Sequence, residues 1–488
     1  MMALQFLRRL PWLLVALCLL AARASAATLS FTVTASETVV VTGSPRIAID
    51  VGGVTRFATY AAGSGTSALT FTYAVQAADF DADGITIASP LDLNGGTLAD
   101  LVGNPAANLT FTLPDTTTLN VQTYTAAFTT GPITNANASA VSFAITKAPT
   151  GASFTYAITS SGGSGTVTGA GTIGGSPHTV SGIDVSALPF GMLTLSVTVS
   201  TVAGGTGAAR TASATPTFSG VLDGLPAAVA AFSIRRLRSA HSGPLLRVRR
   251  ASDNVEQDVG ATIGGNLNTT ALIAFCGTAS CFVPTWYDQS GNGLNAVQAV
   301  TTMQPRIAAG GVTDAEGTRP AVRYTAAGLV LDAGIIPGQS VQGSFSAVAR
   351  STDSTANRHI MGDRGIITAT GRVMRAVAGG ASFALFNTAG SGVTLTGSTM
   401  VQRVITALST STGMSGALDG VVSTGTTNSY YLAPATGLWI GGGGSGQSAV
   451  GDWIGTISEA MVFNSTLTTT ARQTLERNQG SYYGVSVQ

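Results

Sequence analysis

The chain has 488 residues, a formal net charge of +1, 44% hydrophobic residues and only 10% charged ones. That length holds several domains, each able to bury a core, and the composition excludes charge-driven disorder and any global attraction to nucleic acid or an anionic membrane. The 61 glycines, set among frequent Thr and Val, favour strands joined by tight turns over helical bundles, so an all-β fold is expected.

Residues 1–26 have the parts of a secretory signal peptide: Arg8 and Arg9, the apolar run Leu10–Ala22, and the small-residue site Ala24-Ser25-Ala26. The run is shorter than a membrane span, so no transmembrane segment is expected after cleavage. The expected location is secreted, meaning extracellular, cell-surface or periplasmic. Cys18 leaves with the signal; the remaining Cys276 and Cys281, close together in an oxidising compartment, read as a short-loop disulfide.

The mature chain divides near Leu222. Residues 27–221 hold four basic and nine acidic groups, and residues 222–488 hold seventeen and fourteen. All three mature tryptophans, Trp286, Trp439 and Trp453, lie in the second part, which is where chemistry is expected.

Residues 27–122 alternate in strand fashion, as in Leu29-Ser30-Phe31-Thr32-Val33-Thr34 and Leu69–Val75. The succession Val39–Val41, Pro45–Asp50, Phe71–Val75, Asp79–Gly84 and Leu93–Gly96 resembles the bacterial immunoglobulin-like repeats of large exported proteins, which implies a spacer or display role. Asp79, Asp81 and Asp83, followed by Gly84, match the front half of a calcium loop. The back half is missing, since Pro90 stands where an EF-hand has its twelfth-position Glu. Ca²⁺ held by these carboxylates and an Asp-rich turn are both open; no other cofactor is expected. Residues 123–221 repeat the strand style, in Val141–Ile145 and Leu193–Val199, and read as a second, immunoglobulin-like sandwich.

Residues 222–488 are again mainly strands, for instance Trp453–Phe463. One helix is predicted over Thr469–Asn478, capped by Thr468 and stopped at Gly480. Arg235, Arg236, Arg238, Arg247, Arg249 and Arg250 are followed by Asp253, Glu256 and Asp258, which suggests charge pairing on a strand face rather than an anion site. The run Trp286-Tyr287-Asp288-Gln289-Ser290-Gly291-Asn292-Gly293 is a tight turn after an apolar strand.

Together with Ala231–Ser242, Leu246–Asp253 and Ala274–Cys281, that run resembles the catalytic domain of the α-L-arabinofuranosidase B family, glycoside hydrolase family 54. The resemblance is good over 222–310, faint beyond, and returns at Leu438–Phe463. It implies a concanavalin or LamG-like jelly-roll sandwich, here closed by the terminal helix, and a polysaccharide or glycan partner. It also implies a retaining mechanism with a Glu nucleophile and an Asp acid/base roughly 5 Å apart. The aligned nucleophile window, Arg375–Gly392, has no carboxylate, and none occurs between Asp363 and Asp419. The family's acid/base Asp follows a Gly-Gly pair after an apolar strand; here Leu438-Trp439-Ile440-Gly441-Gly442 is followed by Gly and Ser until Asp452. A shift of register would leave Asp363, Asp452 or Glu459 as replacements, with Asp452 and Glu459 the first pair to test.

The expected function is therefore glycan binding or adhesion, with Trp439, Tyr430, Tyr431, Asp288 and Asn292 as sugar contacts. An active α-L-arabinofuranosidase and a purely structural cell-surface role are the alternatives. The absence of a Gly-x-Ser-x-Gly elbow, of clustered histidines and of glycine spacing at the sole lysine, Lys147, disfavours serine hydrolase, zinc enzyme and NTPase.

Overall fold

A computed structural model describes residues 13–17, 28–334, 342–363, 372–387, 392–410, 413–425, 437–442 and 451–488. Described residues are mostly in strands and assemble around three successive cores. The expected signal falls largely outside this set; Leu13–Leu17 is an edge strand whose Leu13 faces Thr34.

In the first unit the strands Thr28–Thr42, Thr66–Ala74, Val54–Ala62 and Arg46–Val51 lie side by side in that order. The period-two pattern sends Phe31, Val33, Ile47, Ile49, Leu69 and Phe71 to one face, where they form a core, and leaves Thr and Ser outside. Cross-strand partners such as Phe31 and Phe71 fix the register, since a one-residue slip would expose every one of these side chains.

The second unit has a three-stranded sheet and a five-stranded sheet. Their alternate residues, among them Phe143, Ile145, Phe154, Ile158, Leu195 and Val197, share a second core. Ile263, from beyond the compositional boundary, is fully buried in that same core. Its segment docks by main-chain bonds, Ile263 N donating to Leu188 O (2.8 Å) and Gly264 N to Ser186 O (2.9 Å). The second unit therefore holds a segment of the third.

In the third unit, strands from Ala228–Ser233 to Gly455–Phe463 join into one closed, jelly-roll-like sheet. Gly455–Phe463 is buried along its whole length. Ala460 and Val462 face the main core, while Met461 and Phe463 face a smaller cluster containing Leu475 of the terminal helix. This double burial explains why its end, Ala460–Phe463, reads as a continuous apolar run.

The terminal helix spans Thr469–Tyr483, longer than predicted. Thr468 caps it by accepting from Ala471 N, but Gly480 does not stop it; Gly484, at φ +73°, does. Gly480 instead gives the C-terminal tail room, because a Cβ there would lie 2.5 Å from Val487 Cγ2. A second helix, Thr269–Cys276, was not foreseen; Asn268 caps it. Among the described residues no helix is long and apolar enough to cross a membrane.

Candidate functional site

The family-like turn, Trp286–Gly293, is pinned by hydrogen bonds from its own side chains. Asp288 Oδ1 accepts from Ala231 N and Ser290 N (both 2.9 Å), and Oδ2 accepts from Ser290 Oγ (2.7 Å) and Leu294 N (3.0 Å). Gln289 Oε1 accepts from Leu237 N, and its Nε2 donates to Ser233 O and Arg235 O. Asn292 Nδ2 donates to Val229 O at 2.8 Å. Asp288, Gln289 and Ser290 are buried. The turn thus clamps the first strand, Ala228–Ser233, against the sheet, with the Asp288 carboxylate and the Asn292 amide nitrogen engaged in that clamp. Cys276 and Cys281 are disulfide-bonded, tying the short helix to the strand that leads into this turn.

The arginine cluster is also satisfied by partners within the chain. Arg247 pairs with Asp258 (2.9 Å) and Arg250 with Asp253 (2.6 Å), as the pattern suggested. Arg249 donates to Gln304, Asn254 and Thr301 O. Arg236 donates to the carbonyls of Arg238 and Ser239, and its guanidinium lies over Phe190 and Phe218, at 4.1 and 4.6 Å. Arg238 donates to Ser290 O, and Arg235 pairs with Glu459.

Glu459 is fully buried on the helix side of its strand. It accepts from Arg235 Nε (2.9 Å), Ser233 Oγ (2.7 Å), Gln479 Nε2 (3.0 Å) and Tyr483 Oη (3.1 Å). Asp452 precedes that strand and points elsewhere, so the structure does not bring the two together.

Asp452 belongs to a different surface. Within the sheet, Leu246, Trp286, Ala296, Leu331, Ile440 and Met361 face the core and are fully buried. The alternate positions face the other way and form a row of direct cross-strand partners: Arg247, Thr285, Val297, Asp332, Trp439 and Gly362. Neighbours in such a row have Cβ positions roughly 5 Å apart. Trp439 is half-buried, with Asp332 on one side and Gly362, which has no side chain, on the other. Asp332 Oδ1 accepts from Gly334 N at 2.8 Å. Asp332 carried no motif; only its place opposite Trp439 marks it.

A bulge between His359 and Met361 shifts the strand's parity, so His359 lies opposite Arg375, on the face that Val373 shares with Gly362. The main chain of His359 also bridges that of Asp452, its amide N–H donating to Gly451 O at 2.6 Å. The residues 443–450 lie outside the description, yet the chain returns so that Asp452 sits beside the Gly-Gly turn. A Cβ on Gly442 would be 3.1 Å from Asp452 Oδ1. Asp452 Oδ2 accepts from Gly328 N at 2.9 Å, and burial holds its carboxyl above the usual carboxylate range. Burial, then the charges of Arg375 and Arg358, push His359 down to about 4, so its imidazole is neutral at physiological pH. One face therefore collects an indole, two carboxylates and a neutral imidazole.

The backbone of Asp363 pairs with Leu438 at the edge of this face. Tyr430 and Tyr431 lie outside the described residues. Asp79 is turned to Arg56 (2.9 Å) and accepts from Tyr73 Oη (2.5 Å), while Asp81 accepts from the amides of Gly52 and Gly84. Asp83 packs against Gly205. Among the described residues no group of three or more His, Cys, Asp or Glu is placed to hold a metal ion.

Residues 222–336 match the family described as alpha-L-arabinofuranosidase B, catalytic. The chain is 39% identical over 77 residues, 16% of its length, to a probable alpha-L-arabinofuranosidase B of Aspergillus clavatus. It is 38% identical over 76 residues, again 16% of its length, to an alpha-L-arabinofuranosidase of Hypocrea jecorina. It spans 15% of the length of each of these relatives. A solved GH54 a-l-arabinofuranosidase soaked with cyclic sulfate inhibitor aligns with 54% of this chain and 64% of its own, at 18% identity and a TM-score of 0.43. The C-terminal domain is related to this arabinofuranosidase family.

Proposed function

We propose that the chain is an exported glycan-binding protein whose third unit takes a sugar on the face built around Trp439. The observation that supports this is the row of Asp332, Trp439 and Gly362 on the sheet face turned away from the main core, with His359 and Asp452 alongside. A flat indole offers an apolar platform to a sugar ring, and the adjoining carboxylates and imidazole supply hydrogen-bond partners for its hydroxyls. The relatives' printed activity suggests arabinose-containing polysaccharide as the first ligand to try. Retaining hydrolysis requires two carboxyls roughly 5 Å apart. The aligned nucleophile window has none, and Glu459, one of the replacements considered, is committed to a buried ion pair.

The second reading is an active arabinofuranosidase, favoured by the return of Asp452, with its raised carboxyl pKa, to the Gly-Gly turn. One experiment separates the two: the purified full-length protein is assayed for retention on arabinoxylan by affinity electrophoresis and for release of aryl alcohol from an aryl α-L-arabinofuranoside. Binding without turnover is expected. Turnover abolished by Asp452→Asn would establish the enzyme instead, and neither binding nor turnover would leave a structural role.

A further inference from the structure

We propose that the second unit is a self-association module, in which the edge strand Gly163–Thr172 pairs antiparallel with the same strand of a second copy of this chain. This strand has ten residues and hydrogen-bonds on one side only, to Ser153–Ser160. From Thr166 to Thr172 its register is regular, and nearly all of its residues are exposed. Its outer edge presents main-chain donors and acceptors to water, and among the described residues no main-chain partner occupies it.

Sheet edges are normally blunted by charge, proline, shortness or irregularity. Other edges of the second and third units follow that rule. Thr125–Phe128 has four residues, His178–Ile183 carries a histidine and a glycine at φ +74°, Arg210–Ala214 begins with an arginine, and the third unit's sheet closes on itself. Beyond the irregularity at its start, where Gly163 and Gly165 have positive φ, this strand has no such device: from Thr166 to Thr172 it reads Thr-Val-Thr-Gly-Ala-Gly-Thr.

The composition also selects the occupant. A foreign strand is normally read by pockets for its alternate side chains, and glycines, small residues and threonines offer none. A second copy needs no such reading, because it brings the same length, twist and lack of charge. In the two-fold register centred on Gly169, which uses only the regular stretch, the facing pairs are Gly169 with itself, Thr168 with Ala170, Val167 with Gly171 and Thr166 with Thr172. None places like charges or two bulky groups together, and Thr opposite Thr is a favourable β pair. The five-stranded sheets of the two copies would then run on as one.

Sedimentation equilibrium of the full-length protein between about 1 and about 100 µM tests this, a range that reads micromolar association. The expected mass rises to twice that of the monomer, and amides of 166–172 exchange more slowly at the high concentration than at the low one. Thr166→Lys/Thr168→Lys changes two exposed side chains; it should keep the wild-type circular dichroism and thermal transition yet stay monomeric. A wild type that remains monomeric with concentration-independent exchange would overturn the proposal, as would a dimer that survives both lysines.

Discussion

Replacing Asp288 by Ala distinguishes a clamp from a sugar contact. Four hydrogen bonds end on its carboxylate, three of them from the amides of Ala231, Ser290 and Leu294. The Ser290 hydroxyl keeps Val229 O as a partner at 3.0 Å, so its loss is minor. Ala231 and Ser290 are buried, and each stranded buried amide costs about 1–3 kcal/mol, giving about 4 kcal/mol for the pair. At roughly 2–4 °C per kcal/mol for a unit of this size, the melting temperature should fall by about 8–16 °C. The assay is thermal unfolding followed by tryptophan fluorescence, since Trp286, Trp439 and Trp453 all report the third unit. Asp288→Asn keeps one acceptor oxygen and should lose less than half as much. A melting temperature for Asp288→Ala within about 2 °C of wild type, with glycan affinity lost, would refute the clamp and return Asp288 to the binding surface.

Other residues give equally direct expectations. Glu459→Ala leaves Arg235 charged and buried without its partner and should cost about 3–5 kcal/mol in urea unfolding; a loss under about 1 kcal/mol would mean that the pair is not formed. His359 binds its proton near pH 6.5 when unfolded and only near 4 when folded, so its contribution to stability is present above 6.5 and falls away as pH drops through that window. The difference between wild type and His359→Gln should therefore change by about 2–3 kcal/mol between those limits, and parallel stability curves would contradict the burial of this imidazole. Asp452 has the opposite sign, with its contribution lost as pH rises above the usual carboxylate range, so Asp452→Asn isolates that slope. Ile263→Asp should uncouple the second and third units and lower stability by more than the roughly 2–3 kcal/mol of a lost apolar burial; unchanged cooperativity would show that the docking is dispensable.

Much of the strand content was legible because period-two alternation is a local property: Leu29–Thr34 and Val141–Ile145 fold as they read. The start of the terminal helix was legible at Thr468, whose side-chain cap is a local contact. Its end was not, since the role of Gly480 depends on Val485 and Val487 folding back over it. The domain boundary drawn at Leu222 followed composition, but Ile263 lies forty residues past it in the neighbouring core, a tertiary fact with no local signature. The same limit governs the site. Trp439 was found as an aromatic on a short strand, whereas Asp332 and His359 join it only through ladder pairing, and a bulge decides the face on which His359 lies. Glu459 shows the reverse: it reads as a catalytic candidate in a strand, and the helix that covers it, with Arg235 just past the first strand, engages it in a buried ion pair.

The most direct test of the binding face is acrylamide quenching of tryptophan fluorescence in the full-length protein, with and without arabinoxylan oligosaccharide. Trp286 and Trp453 are fully buried, so the quenchable emission of the third unit belongs to Trp439. Saturating oligosaccharide should protect that emission, and Trp439→Phe should lose both the quenchable component and the binding. Saturable binding that persists undiminished in Trp439→Phe, or wild-type quenching that no glycan alters, would contradict the assignment of this face.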